Sequence, residues 1–250
     1  MDNPFILKLE HGARFTDADR EALEAACIHP RRVPAYTDLI REGDDPRNVH
    51  LVLEGFVCRY KVLQDGKRQI MAFFVPGDIC DLHVHILGEM DHSIGTLVDS
   101  LVVEIDPATV AALTSNPRIN RALWWSTLVD EGTLREWLVN MGQRPADQQM
   151  AHLLCELLLR LQVAGKAKGD GFTLPLTQQE LADTMGITVV HVNRVLRHLR
   201  NERLIELSGR QIRIPDIGRL RRFGDFDPNY LHLRKARLDE RPAAREKTPA

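Results

Sequence analysis

The sequence predicts an α+β protein with an N-terminal β-roll, a long helix and a C-terminal winged helix-turn-helix. Three observations predict this architecture. Short apolar segments separated by turns fill residues 31–105, a long apolar helical stretch follows, and a helix–glycine–helix–hairpin pattern occupies residues 176–214. The 250 residues suffice for two compact domains, and 44% hydrophobic with 27% charged residues is typical of a globular protein.

The charge of the chain is distributed unevenly. Residues 1–143 carry 14 basic and 22 acidic side chains, whereas residues 144–250 carry 19 basic and 13 acidic ones. A basic C-terminal part indicates contact with a polyanion such as nucleic acid. Because the chain begins without a signal-peptide pattern and has no apolar run of membrane-spanning length, we expect a cytoplasmic protein without a membrane partner.

The cysteines and the lack of catalytic motifs argue against several other classes. No Cys-x-x-Cys pair is present, so we expect neither a disulfide framework nor a structural zinc site. We predict ordinary buried or half-buried thiols at Cys27, Cys58, Cys80 and Cys155. The sequence shows no glycine-rich phosphate loop and no Ser-His-Asp constellation, so we do not expect an enzyme.

The first domain, predicted over residues 1–106, contains an N-terminal helix and the β-roll. Val49, Leu51 and Leu53 fall on alternate positions, which is typical of a strand with one buried face. Many short strands at this spacing favour a β-sandwich or β-roll. Turn signals lie at Asp65-Gly66, Pro76-Gly77-Asp78 and Val98-Asp99-Ser100.

The chain becomes helical over residues 107–143. A short helix is predicted at 108–114 and a long one from Arg118 to about Met141. The long helix carries three tryptophans and an apolar stripe of Leu134, Trp137, Leu138 and Met141. A small β-domain needs less apolar surface than this, so we predict that part of the helix forms a homodimer seam. Packing only within its own chain is the alternative.

Residues 144–233 are predicted to form the winged helix-turn-helix. Gly142-Gln143-Arg144-Pro145 is interpreted as a hinge before a helix with a leucine-rich stripe at residues 150–161. A capping box starts the next helix at Thr177, Gly186 permits a tight turn, and Thr188 caps a second helix that ends near Asn201. A hairpin with a Ser208-Gly209 turn follows, in the position of a wing.

The second helix has an apolar inner face and a basic outer face. The major groove of double-stranded DNA admits such a helix, and its first two turns meet the base edges. We predict base reading by Val189, Val190, His191, Asn193 and Arg194. We predict phosphate contacts by Thr177, Gln178, Thr188, Arg197, Arg200 and Arg210. The alternative is an ordinary solvated helix face.

The helix-turn-helix residues carry a resemblance to a known family. Leu176–Ala182, Ile187–Leu196 and Phe74–Ile79 are similar to the CRP/FNR family of bacterial transcription regulators, and the resemblance extends over about residues 15–215. It implies a β-roll of the cyclic-nucleotide-binding type, a dimerising helix and a homodimer on a two-fold symmetric DNA operator. It also implies activation or repression of transcription, with RNA polymerase as a partner.

The resemblance is incomplete at two places. Members that bind cyclic AMP hold the ribose with a Gly-Glu-Leu turn and the phosphate with an Arg-Ser pair, where this chain has Cys80-Asp81-Leu82 and His92-Ser93. We therefore do not expect tight binding of cyclic AMP, although Asp81, Leu82, His92 and Ser93 remain a candidate pocket for an unknown small-molecule effector. Well-known members also carry glutamate where this chain has Val190, so we expect a different operator sequence.

A metal site is the main alternative for the β-roll. The spacing of His83, His85 and Glu89 comes close to the metal motif of cupin enzymes, and His92 could add a ligand. This requires a strand, on which residues i and i+2 share a face; on a helix, which the family resemblance implies here, the two histidines point apart. The second half of the motif is missing. We therefore predict no metal or other cofactor, with a metal-dependent enzyme and a regulatory metal or haem as alternatives.

The C-terminal end is predicted to add little to the fold. Residues 216–233 are expected to form a short helix and an extended segment packed on the domain. Residues 234–250 are charged and contain two prolines, so we expect a disordered tail.

Overall fold

The structure is a computed structural model that describes residues 3–82 and 84–233, without the side chain of His85. His83 and the expected tail at 234–250 lie outside the described residues. The helices are α1 (Pro4–Leu9), α2 (Asp17–Ala25), α3 (Pro107–Ser115), α4 (Pro117–Gln143), α5 (Ala146–Val163), α6 (Gln178–Met185), α7 (Val189–Asn201) and α8 (Ile217–Phe223). The strands are β1 (Arg31–Val33), β2 (Asp38–Ile40), β3 (Val49–Glu54), β4 (Val57–Val62), β5 (Arg68–Phe74), β6 (Ile79–Cys80), β7 (Ser93–Thr96), β8 (Ser100–Ile105), β9 (Gly171–Thr173), β10 (Glu206–Ser208) and β11 (Gln211–Arg213).

The N-terminal part consists of two antiparallel four-stranded sheets, which confirms the predicted β-roll. The strand orders are β1-β8-β3-β6 and β2-β7-β4-β5. The predicted hairpin joins β4 to β5, and Gly66 adopts φ +82°, a conformation that glycine reaches without a steric penalty. The expected one-sided burial of β3 is wrong, because His50 and Val52 are buried as well; helix α1 also contacts this strand.

Helix α4 spans 27 residues and is capped by Asn116, whose side chain accepts hydrogen bonds from the first turn. The predicted apolar stripe divides into two faces. Trp137 is buried against its own chain, edge-on to Phe73 with ring centroids 5.5 Å apart. Leu134, Leu138 and Met141 remain exposed. The predicted four-residue hinge is too long, because α4 continues through Gln143 and only Arg144 and Pro145 separate it from α5.

Helix α5 belongs to an apolar core that extends from the β-roll to the helix-turn-helix. Its leucine-rich stripe is buried as predicted, and this core continues from β5 residues such as Phe73 to Val192 and Leu199 of α7. The wing hairpin is confirmed. Strand β9 adds a third strand to this sheet, and its three residues are too few to show a pattern that predicts a strand. After α8, Pro228–Leu231 forms a 3₁₀ turn rather than the expected extended segment, because Asp227 caps it and Tyr230 and Leu231 are buried.

The four thiols are free, with Cys27 half-buried and the other three buried, as predicted. Among the helices that the structure describes, none is both long and apolar enough to cross a bilayer.

Candidate DNA-binding interface and effector pocket

The helix-turn-helix is built from three local devices that the sequence predicts. The Thr177 hydroxyl accepts a hydrogen bond from the Glu180 amide at 3.2 Å, and the Glu180 carboxylate accepts one from the Thr177 amide. Gly186 ends α6 with φ +65°, a left-handed conformation that favours glycine. Thr188 then accepts from the His191 amide at 3.2 Å and starts α7. These devices fix where the second helix begins.

The two faces of α7 are separated as predicted. The inner face is buried and consists of Val192, Val195, Leu196 and Leu199. The predicted outer residues are all exposed, namely His191, Asn193, Arg194, Arg197 and Arg200. The two valines of the first turn differ, because Val190 is 65% exposed whereas Val189 is half-buried and packs against the core. Val190 is therefore the more accessible of the two to a base.

The arginines of this face are exposed, and none has an acidic partner among the described residues. Within residues 3–82 and 84–233, no acidic side chain forms a salt bridge with Arg194, Arg197 or Arg200 on α7, or with Arg210 at the tip of the wing. Arg213, on the neighbouring strand, differs because it pairs with Asp170 at 2.9 Å and with a second acid. An exposed row of unpaired guanidinium groups is suited to phosphates and guanine edges.

The neutral polar residues of the interface are already oriented. The Asn193 amide donates to Gln178 Oε1 at 2.6 Å and to the Val189 carbonyl at 3.2 Å. This joins a predicted base-reading residue to a predicted phosphate-binding residue. Thr177 and Thr188 use a hydroxyl lone pair for capping, so each hydroxyl hydrogen is still available to donate to a phosphate oxygen.

The helix-turn-helix also contacts the β-roll directly, which the sequence does not reveal. Arg68 of β5 donates to Asp183 of α6 at 2.8 Å, and Gln69 donates to the Thr184 carbonyl at 3.1 Å. These residues lie 115 positions apart in the chain. The β-roll is therefore joined to the helix-turn-helix by direct contacts as well as through α4 and α5.

The predicted effector pocket is held together by ionic contacts. His92 Nε2 lies 2.9 Å from Asp81 Oδ2, and the other oxygen of Asp81 forms a very short contact with Arg59 Nη2. His92 Nδ1 also lies 2.6 Å from Asp91 Oδ1. Leu82 follows Asp81 in the chain and is buried. The Ser93 hydroxyl accepts a hydrogen bond from the Glu42 backbone amide at 3.0 Å. The structure thus joins Asp81 and His92 through a direct contact.

Arg59 is the functional candidate that sequence reasoning misses. It lies on β4, far in sequence from His92-Ser93, the pair that stands where members that bind cyclic AMP have Arg-Ser. Its guanidinium is buried, lies 5.0 Å from the centre of the Phe74 ring, and also reaches Asp130 Oδ2 of α4 at 3.3 Å. Burial in β4 declines from its start to its end without alternating, so a basic residue at its third position gives no sequence pattern for this role.

The electrostatics of the cluster favour the ionised forms of both Asp81 and His92. Burial opposes ionisation of Asp81, but its hydrogen bond with His92 and the charge of Arg59 hold the pKa of this carboxyl below its usual value. Burial also opposes the charged ring of His92, but the hydrogen bond and charge of Asp81 outweigh it and raise the pKa of His92. The cluster is therefore an internal salt bridge network.

The backbone of the segment that holds the candidate metal ligands is not the extended strand that the metal-site alternative requires. The segment forms a 3₁₀ helix at Val84–Ile86, whereas paired ligands at His83 and His85 require an extended strand. His83 itself and the side chain of His85 are outside the described residues, and Glu89 is exposed. In the part of the chain that the structure describes, no group of three or more His, Cys, Asp and Glu side chains is arranged to hold a metal ion.

Comparison with known proteins agrees with this geometry. Residues 148–223 match the Crp-like helix-turn-helix domain and residues 30–116 match the cyclic nucleotide-binding domain. The nitrogen fixation regulation protein FixK of Azorhizobium caulinodans is 30% identical over 217 residues, which cover 84% of this chain and 86% of that protein. The transcriptional activator protein FnrL of Cereibacter sphaeroides is 26% identical over 76% of this chain and 78% of its own length.

Among solved structures, FixK2 from Bradyrhizobium japonicum matches with a TM-score of 0.70 and 25% identity over 78% of this chain and 96% of that one. The order of sheets, long helix and winged helix-turn-helix is therefore shared with a regulator of known structure. The chain belongs to the CRP/FNR family of DNA-binding transcription regulators.

Proposed function

We propose that the protein works as a homodimer that binds a two-fold symmetric operator through α7 and does not act as an enzyme. The observation that carries this proposal is the row of exposed arginines on α7 without salt-bridge partners among the described residues. The inner face of the same helix is packed, so the row has a fixed position. A rigid cationic helix is what a major groove admits.

The dimer is supported by an exposed apolar face on α4. The face consists of Trp124, Leu128, Leu134, Leu138 and Met141, which lie three, four or six residues apart. This spacing is close to the heptad repeat that joins two helices. An apolar stripe of this length exposed to water marks an interaction surface, and a second copy of α4 offers the same stripe in return. Two copies of α7 then meet half-sites about 34 Å apart, one DNA turn.

Each residue of the interface has a specific role in this proposal. Arg194 is suited to a bidentate contact with guanine, Asn193 and His191 to other base edges, and Val190, with the less accessible Val189, to thymine methyl groups. The phosphate contacts come from the remaining predicted residues, namely Thr177, Gln178, Thr188, Arg197, Arg200 and Arg210. RNA polymerase is the proposed protein partner, and the cytoplasm is the proposed location.

The β-roll pocket is proposed not to hold cyclic AMP. The carboxylate of Asp81 lies between Arg59 and His92, so the two side chains that could contact a phosphate here already have a partner. A phosphate brought to this place meets the half-buried negative charge of Asp81. Any effector of the pocket therefore has to displace Asp81 or bind elsewhere.

Selection of bound sequences from random DNA, followed by titration of the selected duplex, tests the function. Arg194→Ala is expected to weaken binding by about 1–3 kcal/mol and to relax specificity at one base pair of each half-site. Arg32→Ala is the matched control, because Arg32 is an exposed arginine on strand β1 of the β-roll. Equal affinity and equal specificity of both variants and the wild type would show that α7 does not read bases.

A further inference from the structure

Asp81 occupies an unusual position between the Arg59 guanidinium and the His92 ring. Its two oxygens contact different partners, Arg59 on β4 and His92 before β7. Its backbone has φ +53°, a left-handed conformation that is uncommon for residues other than glycine. The chain therefore adopts a less favourable backbone at the residue whose carboxylate bridges Arg59 and His92.

Arg59 extends this cluster to the long helix. The same Nη2 nitrogen that contacts Asp81 lies 3.3 Å from Asp130 Oδ2 on α4. Asp130 lies six residues after Trp124 and four before Leu134, within the stretch that carries the exposed apolar face. The position of the Arg59 guanidinium thus depends on Asp81 on one side and affects α4 on the other.

We propose that Asp81 is a built-in anionic ligand of the β-roll, whose carboxylate takes the place of an external carboxylate or phosphate between Arg59 and His92. The contact with Asp130 then holds α4 in the arrangement required for DNA binding without any added effector. This inference rests on the proposed DNA-binding function. It predicts that removing the carboxylate creates an empty anion site that a small carboxylate from solution fills.

Asp81→Gly is the variant of choice. Glycine adopts φ +53° without strain, so the substitution removes the carboxylate and leaves a space of similar size with little disturbance of the backbone. Formate is the probe, because it is a carboxylate small enough for that space. Asp91→Asn is the matched control, since Asp91 is exposed and contacts the other nitrogen of His92.

Two measurements are made in sodium formate and in sodium chloride at equal ionic strength: the dissociation constant for the selected operator duplex, and the thermal unfolding midpoint without DNA. Wild type and Asp91→Asn are expected to respond equally to both salts. Asp81→Gly is expected to bind the duplex at least tenfold more weakly in chloride, and formate is expected to restore most of the affinity and to raise the unfolding midpoint of this variant alone.

The outcomes separate the two proposals. Wild type that ignores all duplexes contradicts the proposed function, while the unfolding midpoint still reports on the anion site. Asp81→Gly that binds DNA like the wild type in chloride, or that shows no specific response to formate, overturns the built-in ligand. If Asp81→Gly does not fold in either salt, Asp81→Asn is measured instead, because it fills the space with a neutral amide. DNA affinity of Asp81→Asn equal to that of the wild type overturns the proposal. A loss of DNA affinity that formate does not reverse supports it.

Discussion

Glu156 offers the sharpest test of how the parts of this molecule are held together. It is a fully buried acid in the middle of the apolar helix α5. Its carboxylate accepts hydrogen bonds from Trp137 Nε1 at 3.0 Å, from the Tyr230 hydroxyl at 2.8 Å and from Arg160 Nη1 at 2.9 Å. One side chain thus joins α4, α5 and the C-terminal 3₁₀ turn.

The magnitude follows from what each substitution leaves behind. Glu156→Leu removes the acceptor for two buried donors and for the half-buried Arg160, and leaves Arg160 with Asp78 at 2.8 Å as its acidic partner. Breaking a buried charge pair in this way costs about 3–5 kcal/mol of unfolding free energy. Glu156→Gln keeps one acceptor oxygen and loses the charge opposite Arg160, so a loss of about 1.5–3 kcal/mol is expected, the contribution of one hydrogen bond to a charged group.

Urea unfolding monitored by tryptophan fluorescence measures both losses, because Trp137 lies in the network. Glu21→Gln is the control, since this substitution makes the same chemical change at an exposed residue of α2. The order wild type, Gln, Leu is expected for decreasing stability. If Glu156→Gln and Glu21→Gln unfold at the same urea concentration, Glu156 does not hold these elements together and the reasoning fails.

Three further predictions concern the dimer, the DNA and pH. Leu138→Asp removes an apolar contact from both halves of the dimer, so dimerisation should weaken by about 3–6 kcal/mol in sedimentation equilibrium, whereas Leu87→Asp, at an exposed leucine of the β-roll, should leave it unchanged. Arg200→Ala should make the negative slope of log affinity against log salt shallower by about 1.8, since two phosphate contacts are lost per dimer. An unchanged slope excludes a phosphate contact by Arg200. Burial lowers the pKa of His152 below its unfolded value of about 6.5. The contribution of His152 to stability is therefore present above the unfolded pKa and is lost as pH falls through the folded pKa. His152→Gln should lose less stability than the wild type between pH 7.5 and 5.5, and equal losses contradict this.

The features that the sequence predicts correctly are local ones. The capping box at Thr177 and Glu180, the glycine turn at Gly186 and the hairpin at Gly66 each depend on residues within a few positions of one another. Propensity and side-chain chemistry decide such features before the chain folds. The exposure of Arg194 follows in the same way, from helical periodicity alone.

The features that escape prediction depend on distant partners. Arg59 and Asp81 are 22 positions apart, and Asp130 follows 71 positions after Arg59, so no spacing rule joins them. Glu156 lies between buried leucines, where periodicity gives no reason for an acid; only Arg160, Trp137 and Tyr230 together make its burial favourable. A hydrophobic pattern shows which positions are buried, but the partners of a buried charge appear only in three dimensions.

These distant contacts also change how a signal must travel through the molecule. The two residues between α4 and α5 are not a free hinge, because Arg144 is held by Glu136 at 2.8 Å. The β-roll contacts the rest of the chain at separate ionic pairs, including Arg160–Asp78 to α5 and Arg68–Asp183 to α6.

A rotation of α7 relative to the β-roll would have to break these pairs. In the Arg160–Asp78 pair the carboxylate of Asp78 is buried, and a buried charge without its partner is strongly unfavourable. The orientation of α7 is therefore set largely by the β-roll itself. This is the behaviour expected of a regulator whose anion site is filled by its own Asp81, because the DNA-binding arrangement then forms as the chain folds.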